Sequence, residues 1–308
     1  MQDIPHIPVL YREVLESFQN IDNGVVIDCT LGYGGHSSMI LENNPHIKLV
    51  GIDQDQTAID FSTKRLVPFS QRVEIKKGRF SHVIKDILQE YGADQIKAVL
   101  ADIGVSSLQL DQKDRGFSYE SDNLDMRMDP DAALDAATVV NEYSQQQLER
   151  ILYEYGEIKN AHKLAAQIIA NRPFYSAKEL VAKLMPFLPK NKKIHPATLL
   201  MQAIRIEVNN ELGELKGLLE SIETSTLTSA KVAIISFHSL EDRIVKQTFA
   251  RWSRSCICPS QAIRCECGNN HHIGRVLTKK PLVAKSDEIQ ANARSRSAKL
   301  RVFQMERS

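Results

Sequence analysis

The sequence contains 308 residues, of which 43% are hydrophobic and 25% are charged, with a formal net charge of +1. This length and composition predict a chain that buries its own core, either as one large domain or as a core domain with a smaller second one. Because no apolar run is long enough to span a bilayer and the N-terminus does not resemble a signal peptide, we predict a cytoplasmic protein with no membrane partner. The five cysteines do not form the even, regularly spaced framework of a small secreted protein, so we expect reduced thiols.

Short β-branched runs alternate with segments of helical spacing through the first third of the chain. The predicted strands cover residues 25–29, 48–53, 73–78 and 98–103. Segments with helical spacing separate them, for example residues 55–66 and 82–91. Parallel strands need crossover connections of this length, which usually contain a helix. The alternation predicts an α/β fold with a doubly wound, mostly parallel, Rossmann-like sheet.

The first predicted strand leads into a glycine-rich turn at the start of a helix. The turn reads Asp28-Cys-Thr-Leu-Gly32-Tyr-Gly34-Gly35-His36. Glycine permits a tight turn and a close approach to a ligand, and the helix start supplies free N–H groups. A dinucleotide fingerprint would require glycine where Ser37 stands, which disfavours a dehydrogenase. The pattern Asp-x-x-x-Gly-x-Gly instead matches enzymes that bind S-adenosylmethionine.

Acidic residues end two further strands. Asp53 closes the second strand, where a carboxylate can accept both hydroxyls of a ribose, and Asp102 closes the fourth. Either residue alone could be only a helix N-cap. Their coincidence with the glycine-rich turn at successive strand ends predicts a cofactor site there.

The alternation breaks after Ile103, and the sequence then looks helical until Lys231. A strand pattern resumes over 231–237, followed by a helix from Ser239 to Trp252 and two extended segments over 276–284 and 299–305. We predict that all these strands belong to one sheet, and that a helical segment is inserted between its fourth and fifth strands. Residues 1–111 and 206–308 would form a discontinuous core domain, and residues 112–205 an inserted helical domain.

The C-terminal part of the chain is basic. From Arg243 onward there are fourteen Lys and Arg against four Asp and Glu, a net of 14 − 4 = +10. This suits a polyphosphate partner, but a solvated tail would look the same.

Two Cys-x-Cys pairs flank a short loop within this basic part, with His271 and His272 nearby. The cysteines are Cys256, Cys258, Cys265 and Cys267. Four thiolates can hold a structural zinc ion, although the spacing is tighter than the usual Cys-x-x-Cys. Free thiols in a mobile loop are the alternative.

Several longer motifs, spread over essentially the whole chain, carry a family resemblance. They are HIPVL at 6–10, GYGGHS at 32–37, DIGVSSLQLD at 102–111, RGFSYESDNLDMRMD at 115–129, HPAT at 195–198 and ISFHSLEDRIVK at 235–246. The chain resembles the bacterial ribosomal RNA small-subunit methyltransferase H family, also called MraW. The resemblance implies an S-adenosylmethionine-dependent enzyme that methylates N4 of a cytidine in the decoding region of 16S ribosomal RNA. Its partner would be that RNA or the 30S particle, and homodimerisation stays open.

The resemblance also implies roles for particular residues. Cofactor contacts are implied for Gly34, Gly35, His36, Asp53, Phe80, Asp102 and Gln109. The core domain would be the methyltransferase domain, and the inserted domain would recognise the substrate. The sequence departs from the family pattern at Tyr33, a variable slot, at Leu108, where most members have Pro, and at Leu199 and Met201, where Arg and Phe are expected.

The reaction itself suggests further candidates. Cytosine N4 is a poor nucleophile, so an acceptor that orients its amino group would help, and we assign this role to Asp102 or a backbone carbonyl beside it. The alternative is that Asp102 contacts only the cofactor. An extruded base is commonly held by aromatic side chains, for which Phe117 and Tyr119 are candidates unless they form core of the insertion.

Three more residues complete the substrate-binding candidates. His238 either borders the substrate or is bonded within the fold, beside a predicted capping box of Ser239 and Asp242. Arg294 and Arg296 belong to the basic C-terminal part. Two rival functions stay open: an S-adenosylmethionine-binding ribosome-assembly factor without turnover, and an amino-methyltransferase acting on another nucleic acid.

Overall fold

A computed structural model describes residues 7–92, 94–106, 109–110, 112–189, 194–259, 261–262 and 264–307. The described chain divides into two compact units. The first runs to Gly104 and resumes at Glu214, and the second spans Val105–Gly213. Ser107, Leu108 and Asp111 of the DIGVSSLQLD motif lie outside the described residues.

The first unit contains a sheet that, over the described residues, has seven strands in the order β3-β2-β1-β4-β5-β7-β6. The strands are β1 (Gly24–Asp28), β2 (Ile47–Asp53), β3 (Val73–Lys77), β4 (Ile96–Asp102), β5 (Lys231–Ser236), β6 (Gly274–Val276) and β7 (Lys299–Met305). Strands β1 to β5 pair in parallel, and β7 pairs antiparallel with β5 and β6. The predicted doubly wound, mostly parallel fold is confirmed.

Helices connect the strands and also build the second unit. In chain order the described α-helices are α1 (Tyr11–Phe18), α2 (Gly35–Asn43), α3 (Gln56–Arg65), α4 (Phe80–Tyr91), α5 (Ala136–Glu142), α6 (Gln145–Glu154), α7 (Ala161–Ala170), α8 (Ala177–Leu184), α9 (Thr198–Asn209), α10 (Glu211–Thr224), α11 (Ser239–Trp252) and α12 (Ser286–Ala291). No described helix has the length and apolar character needed to cross a membrane.

The central strands are buried on both faces, as strands of a doubly wound sheet must be. Along β1, Val25 and Ile27 enter one hydrophobic cluster together with Ile84 of α4, whereas Val26 enters another cluster with Val14 of α1. Successive side chains of a strand point to opposite faces, so these two clusters lie on the two sides of the sheet. The second unit has a hydrophobic cluster of its own, drawn from α5 to α9 and the segment before them.

Strand β5 continues the sheet after the interruption. It pairs with β4 from Ala98 opposite Lys231 to Asp102 opposite Ile235. The sheet therefore continues with β5 next to β4, the last strand before the insertion, as predicted for one sheet interrupted by an inserted segment.

The extended segment predicted over 276–284 is largely wrong. Strand β6 ends at Val276, and later only Leu282 makes a described β-bridge, to Leu300. Lys279, Lys280 and Pro281 stand between them, and proline cannot donate a backbone hydrogen bond to a neighbouring strand. Nearer to the end of β6, the Val302 N–H donates to the Thr278 hydroxyl at 2.9 Å and not to a backbone carbonyl, so the regular pairing with β7 is interrupted.

Candidate active site

The turn between β1 and α2, residues 29–34, is called the glycine turn below. Gly34 caps α2 with a left-handed backbone (φ 69°), and no side chain caps this helix start. At the next position, a Cβ on Gly35 would lie 2.6 Å from Cγ of Pro8, which no real contact allows. Glycine is therefore required at 34 by conformation and at 35 by close packing, and the first N–H groups of α2 are left for a ligand.

Asp28 holds the glycine turn from inside the protein. Its carboxylate is buried and accepts hydrogen bonds from the Ser37 hydroxyl (2.7 Å) and the Thr30 N–H (3.2 Å). Burial raises the pKa of Asp28 above its ordinary value. Ser37, the residue that breaks the dinucleotide fingerprint, therefore closes the turn onto β1. Sequence reasoning used Asp28 only as part of a pattern and did not foresee this contact.

Asp53 connects the end of β2 to the glycine turn. One carboxylate oxygen accepts the Gly32 N–H at 2.7 Å, and the other accepts the Asp55 N–H at 2.9 Å. Burial raises the pKa of Asp53 to about 6, against the opposing effect of these two hydrogen bonds. A carboxylate oxygen has two lone pairs, so each oxygen keeps one for a hydroxyl donor.

Asp102, at the end of β4, meets the glycine turn from the other side. Its N–H donates to the Thr30 hydroxyl at 2.7 Å, and its Oδ2 lies 3.6 Å from Nε2 of His36 in α2. Oδ1 of Asp102 and Nε2 of His36 are both buried, yet neither has a hydrogen-bond partner among the described residues. Buried polar atoms are normally hydrogen-bonded, so this pair indicates a place where a ligand binds.

These observations test whether the site suits S-adenosylmethionine. The cofactor has an amino acid end, a ribose and a charged sulfonium, and the site offers uncapped N–H groups, a carboxylate with lone pairs to spare and two unpartnered polar atoms. The residues present therefore fit this group.

The remaining predicted cofactor residues lie in different places. Phe80 begins α4 shortly after β3 ends, and its half-buried ring packs against the core of the first unit. Gln109 belongs to the second unit, where it is buried and its Oε1 accepts the Ser106 N–H at 3.1 Å. The structure thus brings together the glycine turn, His36, Asp53 and Asp102. Phe80 follows β3, the strand that pairs with β2.

The two aromatic candidates in the second unit differ. Phe117 is buried within the hydrophobic cluster of that unit. Tyr119 is 42% exposed, and its ring is stacked on His195 with ring centroids 4.4 Å apart and planes 6° from parallel. An exposed aromatic ring can receive a base, whereas a core ring cannot.

His238 lies directly before α11 with its ring beside Glu241 of that helix, although neither ring nitrogen has a hydrogen-bond partner among the described residues. Its Nε2 lies 3.0 Å from Oε1 of the fully buried Glu241, whose Oε2 accepts the N–H groups of Phe237 (2.9 Å) and His238 (3.3 Å). The predicted capping box of Ser239 and Asp242 is therefore wrong. The N-cap is His238, one residue earlier than expected, so the capping acid is Glu241.

The basic C-terminal candidates lie between α12 and β7. Arg294 and Arg296 belong to a short 3-10 helix, Ala293–Ser297, in which Arg294 is half-buried and Arg296 is exposed. The four cysteines of the Cys-x-Cys pairs converge in the segment between α11 and β6, with their Sγ atoms within 4.8 Å of one another.

Comparison with known proteins places the chain in a family. A family model described as the MraW methylase family matches residues 3–306. Proteins named ribosomal RNA small subunit methyltransferase H are similar over the full chain. The one from Sulfurimonas denitrificans is 66% identical and covers 100% of both chains, and the one from a Nitratiruptor species is 60% identical and covers 97% of this chain and 98% of its own. A solved rRNA methylase from Streptococcus thermophilus is 10% identical with a TM-score of 0.40, covering 98% of this chain and 99% of its own. The chain belongs to the MraW methylase family.

Proposed function

We propose that the chain is an S-adenosylmethionine-dependent methyltransferase that methylates small-subunit ribosomal RNA at N4 of a cytidine in the decoding region. Family membership and the names of the relatives support the enzyme class and the RNA. The observation that carries the proposal is the pair of buried, unpartnered atoms, Asp102 Oδ1 and His36 Nε2, beside a glycine turn tied to Asp53. Such a site is built for a polar ligand at the strand ends of a doubly wound sheet.

Three groups of this chain would hold the cofactor. The uncapped N–H groups at the start of α2 suit its carboxylate, and the lone pairs of Asp53 that the backbone leaves unused suit the ribose hydroxyls. Family resemblance implies cofactor contacts for Phe80 and Gln109 as well. When bound, the cofactor supplies a methyl group on a positively charged sulfur, which is already a strong electrophile.

The remaining task is to place and orient the amino group of the target cytosine. Its N4 lone pair is delocalised into the ring, so an acceptor that draws on an N4–H directs the lone pair toward the methyl group. Asp102 is our candidate because it is the last residue of β4, and its Oδ1 is buried and lacks a partner among the described residues. Holding the reactants in line contributes further.

We assign recognition of the RNA to the inserted helical domain and the basic C-terminal part. In the inserted domain, the exposed Tyr119 ring rests on His195, and an aromatic pair of this kind can extend its stack by one extruded base. Arg294 and Arg296 would contact phosphates rather than bases.

The experiment that tests this function is methyl transfer to defined acceptors. The purified protein is incubated with radiolabelled S-adenosylmethionine and 30S particles or small-subunit RNA from cells that lack this protein, and the labelled nucleotide is identified by mass spectrometry. We expect label on N4 of one cytidine. Label on DNA or another RNA would indicate a different acceptor, and cofactor binding without transfer to any acceptor would indicate an assembly factor.

A further inference from the structure

The segment between α11 and β6 has no regular secondary structure in its described part. No described residue from Ser253 to Ile273 is buried, and none lies in a helix or strand. A segment of this length has to lose a large conformational entropy to become ordered, and apolar burial does not compensate for it here. A different interaction must hold this segment.

The cysteine side chains are the feature that converges. The Sγ atoms of Cys256, Cys258, Cys265 and Cys267 all lie within 4.8 Å of one another. The Sγ atoms of Cys265 and Cys267 are 3.6 Å apart, and those of Cys267 and Cys256 are 3.7 Å apart. A tetrahedral zinc ion with Zn–S bonds of about 2.3 Å places its sulfur ligands about 3.8 Å apart. The two separations therefore match the edges of a zinc tetrahedron.

The same separations exclude a disulfide, in which the sulfur atoms are about 2.05 Å apart. The cysteines are accordingly free thiols. Free thiols are weak hydrogen-bonding groups, so four of them gathered at the surface do not by themselves order a loop.

Backbone N–H groups point at the sulfur atoms. The Ile257 N–H donates to Sγ of Cys267 at 3.4 Å, and the Glu266 N–H donates to Sγ of Cys258 at 3.3 Å. Each of these bonds links one Cys-x-Cys pair to the other. Hydrogen bonds of this kind stabilise thiolate rather than thiol, because the charged sulfur is the stronger acceptor.

The nearby histidines have other partners. Nε2 of His271 lies 2.7 Å from the Cys267 carbonyl oxygen, and Nδ1 of His272 lies 3.5 Å from the Ser255 hydroxyl. The ligand set that remains is four sulfurs, which favours Zn²⁺ over the hard cations that oxygen ligands bind.

We propose that Cys256, Cys258, Cys265 and Cys267 bind one structural Zn²⁺ ion that orders the segment between α11 and β6. The four ligands leave no open coordination position, so the ion has a structural and not a catalytic role. Binding releases the protons of the thiols and closes the loop between the two pairs. The segment ends on backbone hydrogen bonds, from the His271 N–H to the Ser255 carbonyl and from the Ile273 N–H to the Trp252 carbonyl, both at 2.9 Å. The ion would hold the part beyond them.

The test uses the full chain purified without chelators. We expect elemental analysis to find one zinc per chain, and a Cys265→Ser, Cys267→Ser double variant to lose it. Cys29, buried near the end of β1, provides the matched control: Cys29→Ala removes a cysteine but should keep one zinc. Replacement of zinc by Co²⁺ should give the visible absorption of a tetrahedral thiolate site in wild type and Cys29→Ala, and not in the double variant.

Two results would overturn the proposal. The first is a wild-type protein whose zinc content equals that of the buffer blank and which also fails to bind added Zn²⁺ or Co²⁺. The second is a double variant that retains its zinc. Limited proteolysis gives a readout independent of folding elsewhere, because chelation should expose cleavage sites within 253–273 while the rest of the chain resists. Methyl transfer plays no part in these measurements, so their failure leaves the proposed function intact.

Discussion

The Asp53 carboxylate accepts the backbone N–H of Gly32 at 2.7 Å, and this contact fixes the glycine turn after β1 against the end of β2. One side chain thus shapes the turn and keeps lone pairs that could accept the ribose hydroxyls of the proposed cofactor. A substitution at Asp53 should therefore change cofactor binding more than it changes the fold.

Asp53→Asn should weaken S-adenosylmethionine binding. The amide keeps the size of the side chain but removes the charge and one acceptor, and hydrogen bonds to charged groups contribute about 1.5–3 kcal/mol each. Titration calorimetry should therefore find the Kd raised roughly 10- to 150-fold for one such bond. Asp60→Asn on α3, an exposed position whose carboxylate meets only Gln56 among the described hydrogen bonds, is the control and should bind as wild type. Equal affinity of the two variants would remove Asp53 from the cofactor site.

Cofactor affinity should also depend on pH through Asp53. Burial raises the pKa of this carboxyl to about 6, so lowering the pH through 6 protonates it, removes its charge and turns one acceptor site into a donor. Affinity measured by calorimetry between about pH 5 and 8 should fall toward the acid end in wild type. In the Asp53→Asn variant, the part of this pH dependence that comes from Asp53 should be absent.

The stability of the protein without cofactor should change with pH in the opposite direction to cofactor affinity. The folded-state pKa of Asp53 lies above its ordinary value of 3.8, so between these two values the folded state binds more protons than the unfolded state. The contribution of Asp53 to the free energy of unfolding therefore increases as the pH falls through 6. Denaturant unfolding of wild type and Asp53→Asn over this range separates weaker binding from loss of the fold. If, as the pH falls through 6, wild type loses both cofactor affinity and stability relative to Asp53→Asn, the raised pKa is not that of Asp53.

Several strands and helices of the first unit could be predicted from the sequence because the residues that determine them are close together in the chain. The run Lys299–Met305 and the helix Ser239–Trp252 have the predicted bounds, since apolar periodicity and the residues at their ends are close in sequence. Asp53 and Asp102 could be placed at strand ends for the same reason.

What could not be predicted depends on contacts between distant residues. Ser37 looked like a defect in a fingerprint, and its bond to Asp28 becomes visible only once α2 folds back onto β1. The N-cap of α11 is His238 and not Ser239, and this one-residue difference is enough to exchange Asp242 for Glu241 as the capping acid. Asp242 instead accepts a hydrogen bond from Arg301 of β7 at 2.7 Å. Periodicity defines the extent of a helix well but not which residue caps it.

Substitution of Asp102 should distinguish its two roles. If Asp102 orients N4, Asp102→Asn should lower kcat about 10²- to 10³-fold with a smaller change in cofactor affinity, because the interaction is made mainly in the transition state. If it contacts only the cofactor, KM for S-adenosylmethionine should rise while kcat at saturation stays near wild type. Steady-state kinetics on 30S particles, with Asp60→Asn as the control, tells these apart. Unchanged kcat and KM would exclude both roles.

Tyr119 provides the last prediction, because its exposed ring stacked on His195 can take a base on its free face. Stacking of one base on an aromatic side chain contributes about 1–3 kcal/mol, so Tyr119→Ala should lower kcat/KM for the RNA roughly 5- to 150-fold, whereas Tyr119→Phe should retain most of it. Affinity for S-adenosylmethionine should not change in either variant.

Tyr153 is the matched control for this experiment. It lies on α6 of the same unit and is 65% exposed, and no stacked partner is described for it, so Tyr153→Ala removes an equivalent ring without a platform beneath it. Thermal melting of all three variants checks that the unit remains folded. If Tyr153→Ala and Tyr119→Ala reduce kcat/KM equally, the effect belongs to the general surface of the helical unit. The target base would then have to be held elsewhere, because the buried ring of Phe117 has no free face to offer.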